Sequence, residues 1–265
     1  RISRDELTAR ALDLAPASST FFALVVLSSA IAATGLLLNS AATIIGAMVV
    51  APLMGPAISA SVGAVLDDRS LASRGVTLQA TGLLVAILTG TLVGLVVRGT
   101  ILVPPGLELE SIPEVAERTS PNFLSLFLAL GSGIAGAISV VRDVGSALVG
   151  VAIAVALIPP AATSGLGIAW ADGTVAVAGA VLVLVNLLAI NLAALIVLWL
   201  AGFRPERAER AQRARSAVRA RIAVILFAIA ALSLVLGLVT YATFQAATVE
   251  SQTADELERA FQTEY

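Results

Sequence analysis

The chain contains no cysteine and no histidine. Without cysteine there is no disulfide framework and no thiolate zinc site. Without histidine there is no imidazole base, so neither Ser/His/Asp nor Cys/His catalysis is available. All 16 Lys+Arg residues are arginine, which removes a Walker lysine and any Schiff-base lysine. Charge of either sign is scarce at 13%, against about 25% in an average soluble domain. Hydroxyls and amides are left as the polar groups of the apolar stretches, and with no activated nucleophile or ligand cluster among them the chain does not read as an enzyme. The sequence calls for no metal and no cofactor.

Apolar residues take that space. They make up 58% of 265 positions, and the mean hydropathy is +0.97. They gather in runs of the length a helix needs to cross a bilayer core about 30 Å thick, which is about 20 residues. The runs are 21–38, 41–66, 76–97, 122–141, 144–170, 174–201 and 222–244. The expected fold is an all-α integral membrane protein with about seven transmembrane helices. Residues 1–20 precede the membrane part as an amphipathic segment. There Ser3 and Glu6 fit a capping box, Leu7, Ala11 and Leu14 share a face, and Pro16 stops the helix; the segment is expected either on the membrane surface or as a link to a soluble part ahead of it. Arg1 in place of Met suggests a trimmed start, and no cleavable signal peptide is evident. The membrane domain runs over 21–201, followed by a basic loop at 202–221, a seventh helix at 222–244 and an acidic tail at 245–265, where Thr253 and Glu256 fit a cap.

Arginine sets the orientation. With the N-terminus inside, the segments 1–20, 67–75, 142–143 and 203–221 carry 13 of the 16 arginines. The positive-inside rule therefore predicts N-in and, with seven spans, C-out. Arg204–Arg221 is also the natural contact for anionic lipid. No aromatic platform accompanies these charges, so nucleic acid is not an expected partner.

Two spans contain prolines near their middles. Residues 41–66 hold Pro52 and Pro56 beside Gly55, and residues 144–170 hold Pro159 and Pro160. Proline removes a backbone donor and clashes with the preceding turn, at about 3 kcal/mol or more inside a helix. Straight helices of this length would reach about 39–40 Å at about 1.5 Å per residue, more than the core requires. Both spans are therefore expected to break. Carbonyls freed at membrane depth persist only where protein buries them or where they line a wet cavity.

The two spans also correspond. A shift of 104 residues pairs Gly46 with Gly150, Pro56 with Pro160, Ser59 with Thr163, Gly63 with Gly167 and Asp68 with Asp172. Only six of the thirty positions over 39–68 are identical, so the order of landmarks carries the match. Spans one to three (21–97) would repeat as spans four to six (122–201). Three crossings per unit make the second unit enter from the opposite side, giving two inverted three-helix repeats, each with a Pro/Gly-broken helix, plus the seventh helix. Paired broken helices of this kind point to a site near the bilayer midplane.

The candidate pathway residues are Pro52, Gly55, Pro56 and Ser59 in the first break and Pro159, Pro160, Thr163 and Ser164 in the second. Asn39 and Thr43 open span two. Asn186 lies inside span six with Asn191, where helix-to-helix amide bonding is the plainer reading; the same holds for Thr77, Gln79 and Thr81. Asn39 has Asp143 as its repeat mate. Arg142 and Asp143 form an adjacent opposite-charge pair at a span boundary, read either as a topology-setting ion pair or as a gate or coupling pair.

IIGAMVVAPLMGPAISA (44–60), preceded by NSAAT (39–43), resembles the signature of an uncharacterised hydrophobic membrane family catalogued as domain of unknown function 389. RDVGSALVGVAIAVALIPPAATSGLG (142–167) resembles its second signature. The resemblance covers roughly 20–200. It implies a bacterial or archaeal inner-membrane location and, in many members, a soluble domain ahead of the membrane part; it implies no activity.

The leading expectation is a transporter or channel for a small solute or ion, working as a homodimer because the abundant small residues favour close helix association. The rival is a non-transporting scaffold or signalling protein whose broken helices bind a partner. A polar cavity reaching the breaks favours transport; a dry, packed interior favours the scaffold.

Overall fold

The computed structural model describes residues 2–100, 106–119, 123–142 and 146–204, with isolated helical positions at 223, 227 and 230. The described elements are helical: α1 (Arg4–Asp13), α2 (Ser19–Leu37), α3 (Ala41–Val50), α4 (Met54–Leu66), α5 (Arg69–Arg98), a 3-10 turn (Leu109–Ser111), α6 (Pro113–Thr119), α7 (Phe123–Arg142), α8 (Ser146–Trp170) and α9 (Gly173–Leu200). Five of these are long and apolar enough to cross a bilayer: α2, α5, α7, α8 and α9. The pair α3–α4 passes the same test taken together and is bent by 54°, a sixth span if the pair makes one crossing and a re-entrant loop if it does not. The chain is a multi-pass membrane protein of helices. The expected seventh helix (222–244), the basic loop from 205 onward, the acidic tail and Asp143 lie outside the described residues.

Burial sorts the spans. The apolar stretch of α8 is 78% buried and that of α5 only 28%, so α8 runs through the bundle while α5 lies at its surface. Leu84, Leu88, Leu92 and Leu95 of α5 and Leu124 and Phe127 of α7 point outward, as suits side chains bathed in lipid. Around α8 are α5, α9, α7, α2 and α3.

The connections follow from local chemistry. Asn39, Asp67 and Ala171 take left-handed backbone, at φ 50°, 59° and 57°. In each case the next amide closes a six-residue bond to the preceding helix: Ser40 N to Gly35 O, Asp68 N to Gly63 O and Asp172 N to Gly167 O, all at 2.9 Å. These are Schellman ends, which satisfy the last carbonyls of a helix. After the second and third, an aspartate starts the next helix at once. Asp68 Oδ1 accepts from Ser70 N at 2.9 Å and Leu71 N at 3.0 Å; Asp172 Oδ1 accepts from Thr174 N at 3.0 Å and Val175 N at 3.1 Å. Asp68 also explains a difference from the sequence reading, which left 67–75 as a loop. The capped helix begins at Arg69, and its 30 residues make about 45 Å at 1.5 Å per residue, so its first turns stand clear of the apolar slab. Asp68→Ala and Asp172→Ala should each cost about 1 kcal/mol, within the usual range of about 0.5–2 for a lost cap; SDS-titrated unfolding in mixed micelles measures it.

The hairpins α4–α5 and α8–α9 interlock through matching glycines. A Cβ on Gly63 would lie 2.7 Å from Ala72 Cα, and one on Gly167 2.7 Å from Ala176 Cα. One on Gly75 would meet Pro56 O at 2.8 Å, and one on Gly179 Pro160 O at 2.9 Å. Every member of these contacts is displaced by 104 residues from its counterpart. Small residues let backbones approach this closely, which is how helices gain packing energy in lipid.

Candidate functional site at the bent span

The bend has a sequence cause. α3 ends at Val50, and Ala51 is extended (ψ 124°), the conformation a residue before proline is pushed toward. α4 restarts at Met54. Pro56 falls in its first turn, where a missing N–H costs nothing because those amides have no intrahelical partner. Ser28 of α2 donates to Ala47 O at 2.7 Å, satisfying one of the last carbonyls of α3. No side-chain bond caps the start of α4, yet Leu53, Met54 and Gly55 are buried there.

The second expected break is not a break. α8 is one continuous helix with Pro159 and Pro160 inside it. Proline at 160 removes the donor that Ala156 O would receive. Asn186 of α9 supplies a replacement, its Nδ2 donating to Ala156 O at 2.8 Å. Adjacent prolines disturb neighbouring rungs of one turn, and here one of those rungs is repaired from outside. Pro52 and Pro56 remove successive rungs along one side of the helix, with Gly55 weakening the stretch between them by about 1 kcal/mol relative to alanine. The two spans thus match in sequence landmarks and in their hairpin contacts but not in continuity.

The remaining candidates divide. Ser59 is fully buried and donates to Ala11 O of α1 at 2.5 Å. Ser164 donates to Ala176 O at 2.8 Å, joining α8 to α9. Thr163 is fully buried, and its Oγ1 has no partner among the described residues. The Oδ1 of Asn186 is likewise unpartnered. Asn39 and Thr43 sit at the far end of α3 from the bend. Asn39 Oδ1 accepts from Glu114 N at 3.2 Å, and the Thr43 hydroxyl lies 2.9 Å from Ser40 Oγ. Arg142 is exposed in the last turn of α7; Asp143 lies outside the described residues. The structure therefore buries the hydroxyl candidates Ser59, Thr163 and Ser164, sets Ser59 against α1 and Ser164 against α9, and leaves Asn39, Thr43 and Arg142 at helix ends.

Two participants, α1 and Ser29, were not foreseen. α1 does not merely lie on the surface: Leu7 and Ala11 are fully buried, and the helix packs against α4 and α7. The Leu14 carbonyl of the same segment sits directly against Gly55, where any side chain would collide with it. The stripe Leu7, Ala11, Ala15 was the available signal, two of its three members being small enough for close approach. Ser29 of α2 is fully buried with an unpartnered Oγ. Gln79 of α5 has an Nε2 without a partner among the described residues, while its Oε1 accepts from Asn191 Nδ2 at 3.1 Å, so these two amides do join helices as expected. Ser61 Oγ reaches the same Asn191 at 3.4 Å.

A groove of about 530 Å³ opens beside α6, α7 and α8, lined by Glu117, Phe127, Leu128, Gly131, Ser132 and Ala152 among others. Its floor is the bond from Ser132 Oγ to Ala152 O at 2.9 Å, short of the two prolines. The backbone of α8 also meets α5 closely: a Cβ on Gly90 would lie 2.9 Å from Ala162 O.

No solved structure matches the chain. An uncharacterized protein of Methanocaldococcus jannaschii is 32% identical over 207 residues, which cover 78% of this chain and 62% of that protein; the chain thus spans less than two thirds of the length of that relative. Residues 48–192 match the family described as Domain of unknown function (DUF389). That stretch holds the break at 51–53, the proline pair and the glycine contacts of both hairpins, and the chain belongs to this family.

Proposed function

We propose that the protein is a transporter or channel for a small polar solute or ion in a prokaryotic inner membrane, caught here with its pathway closed. One observation carries the reading: Ser29, Gln79, Thr163 and Asn186 each bury a polar atom without a partner among the described residues. They lie on α2, α5, α8 and α9, all membrane-crossing helices. An unsatisfied buried polar group costs about 1–3 kcal/mol, and native folds rarely keep one without reason. A passing solute or its water would satisfy these groups. The bend at 51–53 adds main-chain polarity within an apolar stretch.

The contacts displaced by 104 residues support an inverted repeat of two three-helix units, with a seventh helix following; only the first unit carries a true break. Thirteen inward arginines support N-in and C-out. On sequence grounds Arg204–Arg221 meets anionic lipid and the small-residue faces favour a homodimer. Chemistry on a substrate is not part of this reading.

The test is flux into proteoliposomes across a panel of ions and small solutes, with and without a pH gradient. Thr163→Val keeps the shape and deletes the orphan hydroxyl. It should raise stability by about 1 kcal/mol while lowering flux at least tenfold. Unchanged flux would remove Thr163 from the pathway. A second reading, the non-transporting scaffold, is favoured by the close packing of α4 against α1 and α5 and of α8 against α5. Absence of flux under every condition would leave the scaffold standing.

A further inference from the structure

We propose that α1 and α6 are a matched pair of movable closures, one at each end of the pathway. The idea rests on the transport reading, but its evidence is separate. Each is a short amphipathic helix just ahead of the first long helix of its unit. α1 packs on α4, in its own unit, and on α7, in the other; α6 packs on α8, in its own unit, and on α2, in the other. These pairings exchange under the same correspondence that relates the hairpins. α6 additionally leans on α9.

The two lie at opposite ends. Arg10 Nη1 donates to Val140 O at 3.1 Å, which fixes α1 at the last turn of α7. Glu114 N donates to Asn39 Oδ1 at 3.2 Å, which fixes α6 at the turn after α2. That second end also holds Arg98, donating to Ala169 O at 2.8 Å, and Trp170 Nε1, donating to Leu107 O at 3.2 Å. α8 starts within four residues of the end of α7 and finishes at Trp170. Its 25 residues put about 38 Å between the ends at 1.5 Å per residue.

The fastenings are alike and slight. Each helix carries one Glu–Arg pair at i,i+4: Glu6–Arg10 at 2.7 Å and Glu114–Arg118 at 2.8 Å. Each buries a narrow apolar face, Leu7 and Ala11 in one and Val115, with Ile112 just ahead of it, in the other. Among the described residues each reaches the opposite unit through a long-range hydrogen bond, Arg10 to Val140 O and Glu114 N to Asn39. What α1 covers is the start of α4, through the Leu14 carbonyl at Gly55 and the Ser59–Ala11 bond. A short helix joined at one end of the bundle can leave without dismantling the long helices, which pack mainly on one another. Because each closure holds a helix of the other unit, a shift of the two units that seats one closure unseats the other.

The chain has no native thiol, so single cysteines report cleanly. Ala11→Cys and Val115→Cys place a thiol on the hidden face of each closure, and Ala86→Cys serves as a control in the fully buried core. Labelling rates with a membrane-impermeant maleimide are measured in proteoliposomes, from each side. Adding Arg10→Ala should raise labelling at position 11 at least tenfold and lower it at position 115. Adding Asn39→Ala should do the reverse. Position 86 should stay flat in both. Unchanged rates at 11 and 115, or a rise at 11, 115 and 86 together, would overturn the proposal. No solute enters this measurement. Closures that respond in a protein without flux would sink only the transport reading, and inert closures in a protein with flux would sink only this one.

Discussion

Asn186→Leu should destabilise the protein by about 1–3 kcal/mol, the cost of leaving a buried carbonyl without its donor, and should cost almost nothing once Pro160 is replaced by alanine. Pro160 is the reason Ala156 O needs a side chain from another helix; the bond from Asn186 Nδ2 spans 2.8 Å. Alanine at 160 restores the amide and the ordinary rung of the helix. The two substitutions therefore form a double-mutant cycle with an expected coupling of at least about 1 kcal/mol, well outside the ~0.3–0.5 kcal/mol scatter of independent sites. The orphan Oδ1 of Asn186 is lost equally in both backgrounds and cancels. SDS-titrated unfolding of the four proteins measures the cycle. Additive effects would mean that the amide does not stand in for the missing rung.

Gly63→Ala and Gly167→Ala should each cost at least the ~1–3 kcal/mol typical of overpacking, and by similar amounts. The obstacle in both is the first turn of the following helix, at Ala72 and at Ala176. Main chain cannot rotate aside as a side chain can, so relief requires the hairpin to spread. Gly46 and Gly131 serve as controls, because a Cβ at either meets nothing within 4 Å. There alanine should be neutral or stabilising by up to about 1 kcal/mol through helix propensity. The same unfolding assay reads all four. A Gly63→Ala protein as stable as Gly46→Ala would show that the α4–α5 hairpin is not locked at this point.

Much of the membrane architecture was legible in the sequence. The long spans appeared as apolar runs with ends within a few residues of α2, α7, α8 and α9, because crossing a bilayer demands length and apolarity and little else. Turns at 39–40 and 171–173 were visible in their brevity, and the correspondence of 104 residues in Gly63/Gly167 and Asp68/Asp172. Continuity at Pro159–Pro160 was not legible. It depends on a donor at Asn186, on another helix, and no local rule reports a remote hydrogen bond. The docking of α1 was hidden for a similar reason: Leu7 and Ala11 announce an apolar face, but lipid and protein bury such a face equally well. Of the site, the residue types at the bend were foreseen, while the orphan hydroxyl of Ser29 and the carbonyl of Leu14 were not. Neither position carries a mark in sequence that separates it from its neighbours.

The segment Arg4–Asp13 touches the bend through its last turn and the residues just after it. Its first residues face the opposite way, toward whatever is joined ahead of Ile2. A ten-residue rod so placed is a lever about 15 Å long at 1.5 Å per residue, with its working tip at Gly55. A displacement of that rod moves the Leu14 carbonyl against Gly55, at the break in the α3–α4 pair.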